Sequence, residues 1–253
     1  MLSHGIWWMG IALECLLFVR GFLGNWASRH RVFYFYISFI LCQVPLRLLA
    51  YHWNSHVYLY VYWITEFLGV LLGCGIVFEI YNEGLRAYPG TARMARNLLA
   101  LIFVLTFTKA LVDASNDPRW WPISTTLDLE RDARVVQSFA ILTLAGLFAI
   151  YSIPFGKNLR GIATGYGLFV TISIVQLTFA ASATTKFHAF WLYVSPASYL
   201  LALGVWAGHL WAYQPQPAPE VSVRLEHDYQ KVAAVTRRRL QQARGYLGKA
   251  TPS

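Results

Sequence analysis

The chain has 253 residues, of which 57% are hydrophobic and only 13% are charged, and its formal net charge is +9. A soluble globular domain usually carries about 25% charged residues. This composition excludes most soluble functions and predicts an all-α, multi-pass membrane protein.

Seven continuous apolar stretches follow one another along the chain. Stretches of about 20 residues match the length that a helix needs to cross about 30 Å of hydrocarbon, whereas barrel strands show short alternating segments. We therefore predict a bundle of seven transmembrane helices, with the polar segment 114–133 as its longest connection. The predicted spans are residues 5–23, 32–52, 57–81, 94–113, 134–155, 161–183 and 187–213.

Positive charges are unevenly distributed between the two sides of this bundle. Fifteen Lys and Arg residues lie in the first, third and fifth connections and in the C-terminal tail, against four in the other connections. Because cytoplasmic loops carry the excess of Lys and Arg, we predict an N-outside, C-inside orientation. Basic loops that face anionic lipid also account for the net charge, so a nucleic-acid partner is not expected.

The expected location is the plasma membrane, with the lipid bilayer as the main partner. The first basic residue, Arg20, follows the first apolar stretch, whereas a cleaved signal peptide begins with a basic segment. That stretch is therefore expected to remain as a span. The sequence contains no Asn-x-Ser/Thr glycosylation acceptor, which fits a bacterial inner membrane.

The C-terminal part of the chain is different in character from the seven-helix domain, which covers residues 1–213. Alternate prolines at residues 214–220 predict a stiff linker. Residues 221–253 then form a basic tail whose segment 221–247 has an apolar stripe at helical spacing. This amphipathic helix could lie on the inner membrane surface, dock a cytoplasmic protein partner, or self-associate as a short coiled coil.

Four charged residues lie within the predicted spans, away from the few residues at either end: Glu14, Arg47, Glu66 and Lys109. Each costs roughly 2.5–3.5 kcal/mol at the centre of a membrane, so a partner or a functional site is expected. The predicted topology places Glu14 near the middle of the membrane and the other three in its outer half.

The spacing of residues along the third span indicates which way Glu66 faces. Gly69 and Gly73 share its helix face and form a small-residue packing surface, so Glu66 should point into the bundle. We predict an outward-opening polar cavity, with the ligand-binding residues Glu14, Gln43, Arg47, Tyr62, Glu66, Lys109, Gln176 and Tyr199. The alternative is that an Arg47–Glu66 ion pair only fixes helix register, while Lys109 extends to the interface and pairs with Asp113.

The sequence contains no motif of a hydrolase, a metalloprotease or a nucleotide-binding loop. We therefore expect no catalytic residue, no metal site and no cofactor, although a haem between His30 and His209 stays open if the two side chains face each other. The favoured hypothesis is a non-enzymatic receptor or signalling module that binds a small or amphipathic ligand and engages a cytoplasmic partner. The alternatives are a small-solute or proton-coupled transporter, and an accessory or structural subunit of a larger membrane complex.

Overall fold

The computed structural model describes residues 2–24, 27–116, 123–151, 155–180, 185–212, 214 and 223–250. These residues form an all-helical protein, and no strand occurs among them. The predicted all-α class is therefore confirmed. The helices are α1 (Leu2–Leu23), α2 (Arg31–Trp53), α3 (Ser55–Gly84), α4 (Pro89–Asn116), α5 (Ile123–Ile150), α6 (Lys157–Ala180), α7 (Thr185–His209) and α8 (Val223–Ala250).

Within the described part of the chain, six helices, α1 to α6, are long and apolar enough to cross a membrane. A membrane-embedded protein with multiple apolar helices is thus supported. Residues 152–154 of the predicted fifth span, 181–183 of the sixth and 213 of the seventh lie outside the described residues. Of the predicted linker 214–220, only residue 214 is described.

Two helices begin earlier than the apolar stretches suggest. Helix α4 begins at Pro89 instead of 94, and α5 begins at Ile123 instead of 134. Most of the predicted polar connection 114–133 is therefore helical, and its residues 117–122 lie outside the described ones. The charged first turns of α5 are compatible with a helix because Arg131 pairs with Asp128 at 3.2 Å, at the i,i+3 spacing that stabilises helices.

The helices run back and forth between two ends of the bundle. At the Asn54 end, α2 passes into α3 through Asn54, whose extended backbone stops one helix and whose side chain accepts a hydrogen bond from the His56 N–H at 2.8 Å. At the His30 end, α1 turns into α2, α3 into α4 and α5 into α6, and α7 ends.

The core lies where α2, α3, α5, α6 and α7 meet, and its apolar side chains are almost fully buried. Phe33 and Trp206 pack edge to face with ring centroids 5.0 Å apart. Helices α6 and α7 approach closely because α6 presents small residues: a Cβ at Gly165 would overlap the Trp206 ring. Large apolar side chains also cover the outer surface of the bundle, among them Leu49, Val104, Phe139 and Leu142.

Helix α8 lies beside α4 and is joined to the His30 end of the bundle. The Tyr151 hydroxyl, just after α5, donates a hydrogen bond to the Asp228 carboxylate of α8 at 3.3 Å. Val232 and Val235 of α8 remain about half exposed, with relative exposures of 55% and 50%. The contact therefore leaves part of the apolar side of α8 uncovered.

Candidate functional site

The first polar cluster joins α2 to α3 around Arg47. The Arg47 guanidinium donates to the Glu66 carboxylate at 2.9 Å and to the Thr65 hydroxyl at 2.6 Å. It also lies over the Tyr62 ring at 4.3 Å, a cation–π contact. The Gln43 amide, with its oxygen assigned toward Arg47 from the hydrogen-bond pattern, accepts at 2.7 Å. Arg47 is therefore surrounded by partners, and the predicted Arg47–Glu66 contact is present.

A second buried arginine, Arg134, lies on α5. Its guanidinium donates to the Glu130 carboxylate one turn earlier at 3.2 Å and lies over the Phe169 ring of α6 at 4.7 Å. The Arg134 Nε atom is buried without a hydrogen-bond partner among the described residues. A buried donor of this kind carries a desolvation cost of about 1–3 kcal/mol. Arg134 therefore has unused capacity to bind a polar group.

One turn beyond Arg134, Gln137 connects α5 to α3 and α6. The Gln137 side chain is fully buried, accepts from the Tyr166 hydroxyl at 3.0 Å, and donates to the Cys74 sulfur at 3.3 Å. Gly73 makes room for this contact, because a Cβ at that position would overlap the Tyr166 hydroxyl. Polar side chains of α3, α5 and α6 are therefore hydrogen-bonded to one another in a space that Gly73 leaves open.

A third polar contact lies between α1 and α7. Glu14 is buried, with a relative exposure of 3%, and its carboxyl lies close enough to the Tyr199 hydroxyl to interact. Neither Glu14 Oε2 nor the Tyr199 hydroxyl makes a well-formed hydrogen bond with a described residue. The Phe169 ring connects this pair to Arg134, because it lies under the Arg134 guanidinium and packs against the Tyr199 ring with centroids 5.5 Å apart. The Tyr36 ring is buried beside this region, 6.4 Å from the Tyr166 ring.

We call the set Glu14, Tyr36, Arg134 and Tyr199 the polar centre. Its residues come from α1, α2, α5 and α7. Three of its four polar groups have an atom without a hydrogen-bond partner in the described chain: the carboxyl of Glu14, the guanidinium of Arg134 and the hydroxyl of Tyr199. Together they can offer a ligand both donors and acceptors.

The eight residues predicted from sequence fall into separate places. The four residues Gln43, Arg47, Tyr62 and Glu66 form one cluster, and the pair Glu14 and Tyr199 forms another. Lys109 lies apart from both at the Asn54 end, where its ammonium pairs with Asp132 at 2.6 Å and Asp113 at 3.4 Å. Gln176 is half-buried on α6 and makes no described hydrogen bond to the other seven.

Sequence reasoning missed the part of the site that α5 contributes. Arg134 is the first residue of the predicted fifth span, where a terminal charge is unremarkable, and Glu130 lies in the predicted connection before it. Their spacing does contain a usable signal: Glu130, Arg134 and Gln137 recur at steps of four and three and so share one helix face. Tyr36 and Tyr166 gave no signal, since tyrosine is common on any membrane helix.

A layer of apolar side chains lies between the polar centre and the His30 end. Phe33, Ile162 and Trp206 are at most 1% exposed. Each lies nearer the His30 end than a tyrosine on the same helix, which is Tyr36 on α2, Tyr166 on α6 and Tyr199 on α7. Beyond this layer, His30 and His209 line two different cavities. The geometry expected of a shared haem site is therefore not found at these two residues.

No family model, curated protein or solved structure with which the chain was compared shows significant similarity to it. The function is therefore inferred from the residues of this chain and their geometry.

Proposed function

We propose that this chain is a non-enzymatic membrane receptor or signalling module that binds a small, partly apolar ligand at the polar centre. In this proposal α7 is the seventh span, and the Asn54 end faces outward. The 25 residues of α7 would extend about 37 Å at 1.5 Å per residue, enough to cross the hydrocarbon. The excess of Lys and Arg in the connections at the His30 end supports the orientation.

The observation that carries the proposal is the set of incompletely bonded groups at the polar centre. Buried polar atoms in native proteins usually have hydrogen-bond partners. Glu14, Arg134 and Tyr199 each have an atom without one among the described residues. The Phe169 ring contacts both the Arg134 guanidinium and the Tyr199 ring, and Tyr199 lies close to Glu14. A ligand that carries both a hydrogen-bond donor and an acceptor would satisfy these atoms together, whereas the Arg47 cluster has little capacity left.

Helix α5 offers a physical connection from the polar centre to the proposed cytoplasmic side. It carries Arg134 in the centre and is followed by Tyr151, which bonds to Asp228 of α8. A ligand that shifts α5 would therefore act on α8 through a rigid helix. The half-exposed Val232 and Val235 give α8 an apolar surface for a cytoplasmic partner or the membrane.

The carrier alternative needs a polar path to both sides of the membrane. The apolar layer of Phe33, Ile162 and Trp206 lies between the polar centre and the His30 end, and it favours a receptor over a carrier. The subunit alternative has no comparable structural support in the described residues.

The test is a thermal-shift screen of the full chain in detergent, with short-chain carboxylates, alcohols and amides as probes. A probe that binds the centre should raise the Tm by binding only the folded state. Glu14→Gln and Tyr199→Phe should remove this shift. Tyr34→Phe is the matched control, because its hydroxyl is also buried without a partner among the described residues, while its ring lies against Gly21 of α1. Loss of the shift in the control, or no shift with any probe, contradicts the proposal.

A further inference from the structure

A cavity of about 930 Å³ opens at the His30 end, beyond the apolar layer and separate from the polar centre. It lies between the start of α2, the end of α3 and the start of α6. Three arginines line it, namely Arg29, Arg31 and Arg86, and so do two carboxylates, Glu79 and Glu83. The other polar side chains on the wall include His30 and Asn158.

The two carboxylates on the cavity wall are engaged by the protein itself. Glu79 accepts hydrogen bonds from the backbone N–H groups of Val32 at 3.0 Å and Phe33 at 2.9 Å, so it caps the first turn of α2. Glu83 lies 3.9 Å from the Arg86 guanidinium. With His30 neutral, three arginines against two carboxylates leave the wall with a net positive charge.

His30 adds an unusual group to this wall. It is buried, with a relative exposure of 9%, and its Nδ1 atom has no hydrogen-bond partner in the described part of the chain. Burial, together with the charge of Arg29, lowers the pKa of His30 to about 4, so its imidazole is neutral at pH 7. A neutral imidazole still carries one N–H that can donate to an anion.

Helix α6 begins at the same cavity, which is lined by Gly156, just before the helix, and by Asn158 of its first turn. The N-terminus of a helix of this length carries a partial positive charge and favours anions. Asn158 is held in place there: its amide donates to the carbonyl of His209 at 3.1 Å, and its oxygen accepts from the backbone N–H of Gln214 at 2.8 Å. The wall is therefore preformed.

We propose that this cavity binds a phosphate group, carried by either a lipid headgroup or a soluble phosphorylated molecule. Guanidinium groups match the oxygens of phosphate and can bind them with two hydrogen bonds each. Arg31 and Arg86 supply this chemistry from α2 and from the turn after α3, and the His30 ring lines the buried side of the same cavity. The volume exceeds that of a bare phosphate and leaves room for the group that carries it.

Two probes test the site on the full chain in phosphatidylcholine nanodiscs. The first is inorganic phosphate, compared with chloride at the same ionic strength, with the Tm as the readout. The second is replacement of part of the lipid by phosphatidylglycerol, with the Tm and the lipid retained in native mass spectrometry as readouts. We expect at least one probe to stabilise the protein. A response to phosphate alone assigns a soluble molecule, and a response to phosphatidylglycerol alone assigns a headgroup.

Substitutions connect the response to the cavity. Arg31→Gln and Arg86→Gln should each weaken probe binding about tenfold, the effect of losing one charge-assisted hydrogen bond. Arg93→Gln is the matched control, since it removes the same charge from an exposed position on α4 outside the cavity. Arg86, whose side chain is 82% exposed, keeps the test usable if Arg31→Gln does not fold. The proposal is overturned if neither probe stabilises the protein, or if Arg93→Gln weakens binding as much as the cavity variants.

Discussion

Arg47 and Arg134 are two arginines within the apolar bundle, but their surroundings differ. Arg47 has the Glu66 carboxylate, the Thr65 hydroxyl, an aromatic ring and the Gln43 amide around it, and its side chain is 18% exposed. Arg134 is 9% exposed at its side chain, has one carboxylate partner, Glu130, and keeps a buried Nε without a partner among the described residues.

The difference separates two uses of a charge inside a membrane protein. A cation whose hydrogen bonds are all made within the protein fixes two helices against each other, as Arg47 does for α2 and α3. A buried cation with a donor that lacks a hydrogen-bond partner destabilises the folded protein, unless a ligand accepts that hydrogen bond. Arg134 is therefore the better candidate for function, and four variants test the difference between the two arginines.

The largest effect is expected from Arg134→Met. Removing the guanidinium leaves the Glu130 carboxylate, 15% exposed, without its partner, and breaking a buried ion pair costs about 3–5 kcal/mol. The free energy of unfolding in detergent, measured by chemical denaturation, should fall by that amount. Adding Glu130→Gln to Arg134→Met should recover at least half of the lost unfolding free energy. If the double variant is no more stable than Arg134→Met alone, the broken ion pair is not the cause of the loss.

A smaller effect, about 1–3 kcal/mol, is expected from Gly73→Ala. Its new Cβ would overlap the Tyr166 hydroxyl and push it away from Gln137, next to Arg134. Gly69→Ala is the matched control on the same helix, because no described atom lies within 4 Å of a Cβ there. Equal losses of unfolding free energy in the two variants would contradict this account, and Tyr166→Phe should partly rescue Gly73→Ala.

The same two glycines show what the sequence could and could not reveal. The small-residue pattern predicted that this face of α3 packs closely, which holds at Gly73 but not at Gly69. The pattern gives the helix face, but the rotation and depth of the neighbouring helix decide which glycine is used. Hydropathy located six spans, because an apolar run is a property of local sequence, but it did not locate the start of α5, which lies at Ile123 instead of 134.

The polar centre was harder to predict, since it depends on contacts between residues far apart in the chain. Glu14 and Tyr199 were selected individually as polar groups in spans, but their proximity depends on how α1 packs against α7. Hydropathy places Arg134 at the very start of the fifth span, whereas α5 begins at Ile123 and Arg134 lies well inside it. Local ion pairs such as Arg131–Asp128 continue the helix past that point.

For the Arg47 cluster we expect a loss of about 1 kcal/mol from Glu66→Gln, because the amide keeps one neutral acceptor and Thr65 still binds Arg47. The unfolding free energy of the variant in detergent checks this value. The thermal shift given by a probe of the polar centre should persist in Glu66→Gln, as expected for a structural cluster. If the thermal shift is lost in Glu66→Gln, the ligand binds at Arg47 and not at Arg134, and the proposed difference between the two arginines is wrong.

The smallest effect is expected from Lys109→Met, at most about 0.5 kcal/mol, although Lys109 contacts two carboxylates at short distance. Its side chain is 57% exposed, so solvent screens the attraction to Asp113 and Asp132 and the flexible chain loses entropy when it pairs. Unfolding measured at low and high salt should show that even this difference disappears as ionic strength rises. A loss comparable to that of Arg134→Met would mean that the number of contacts, and not their burial, decides which charges in this bundle matter.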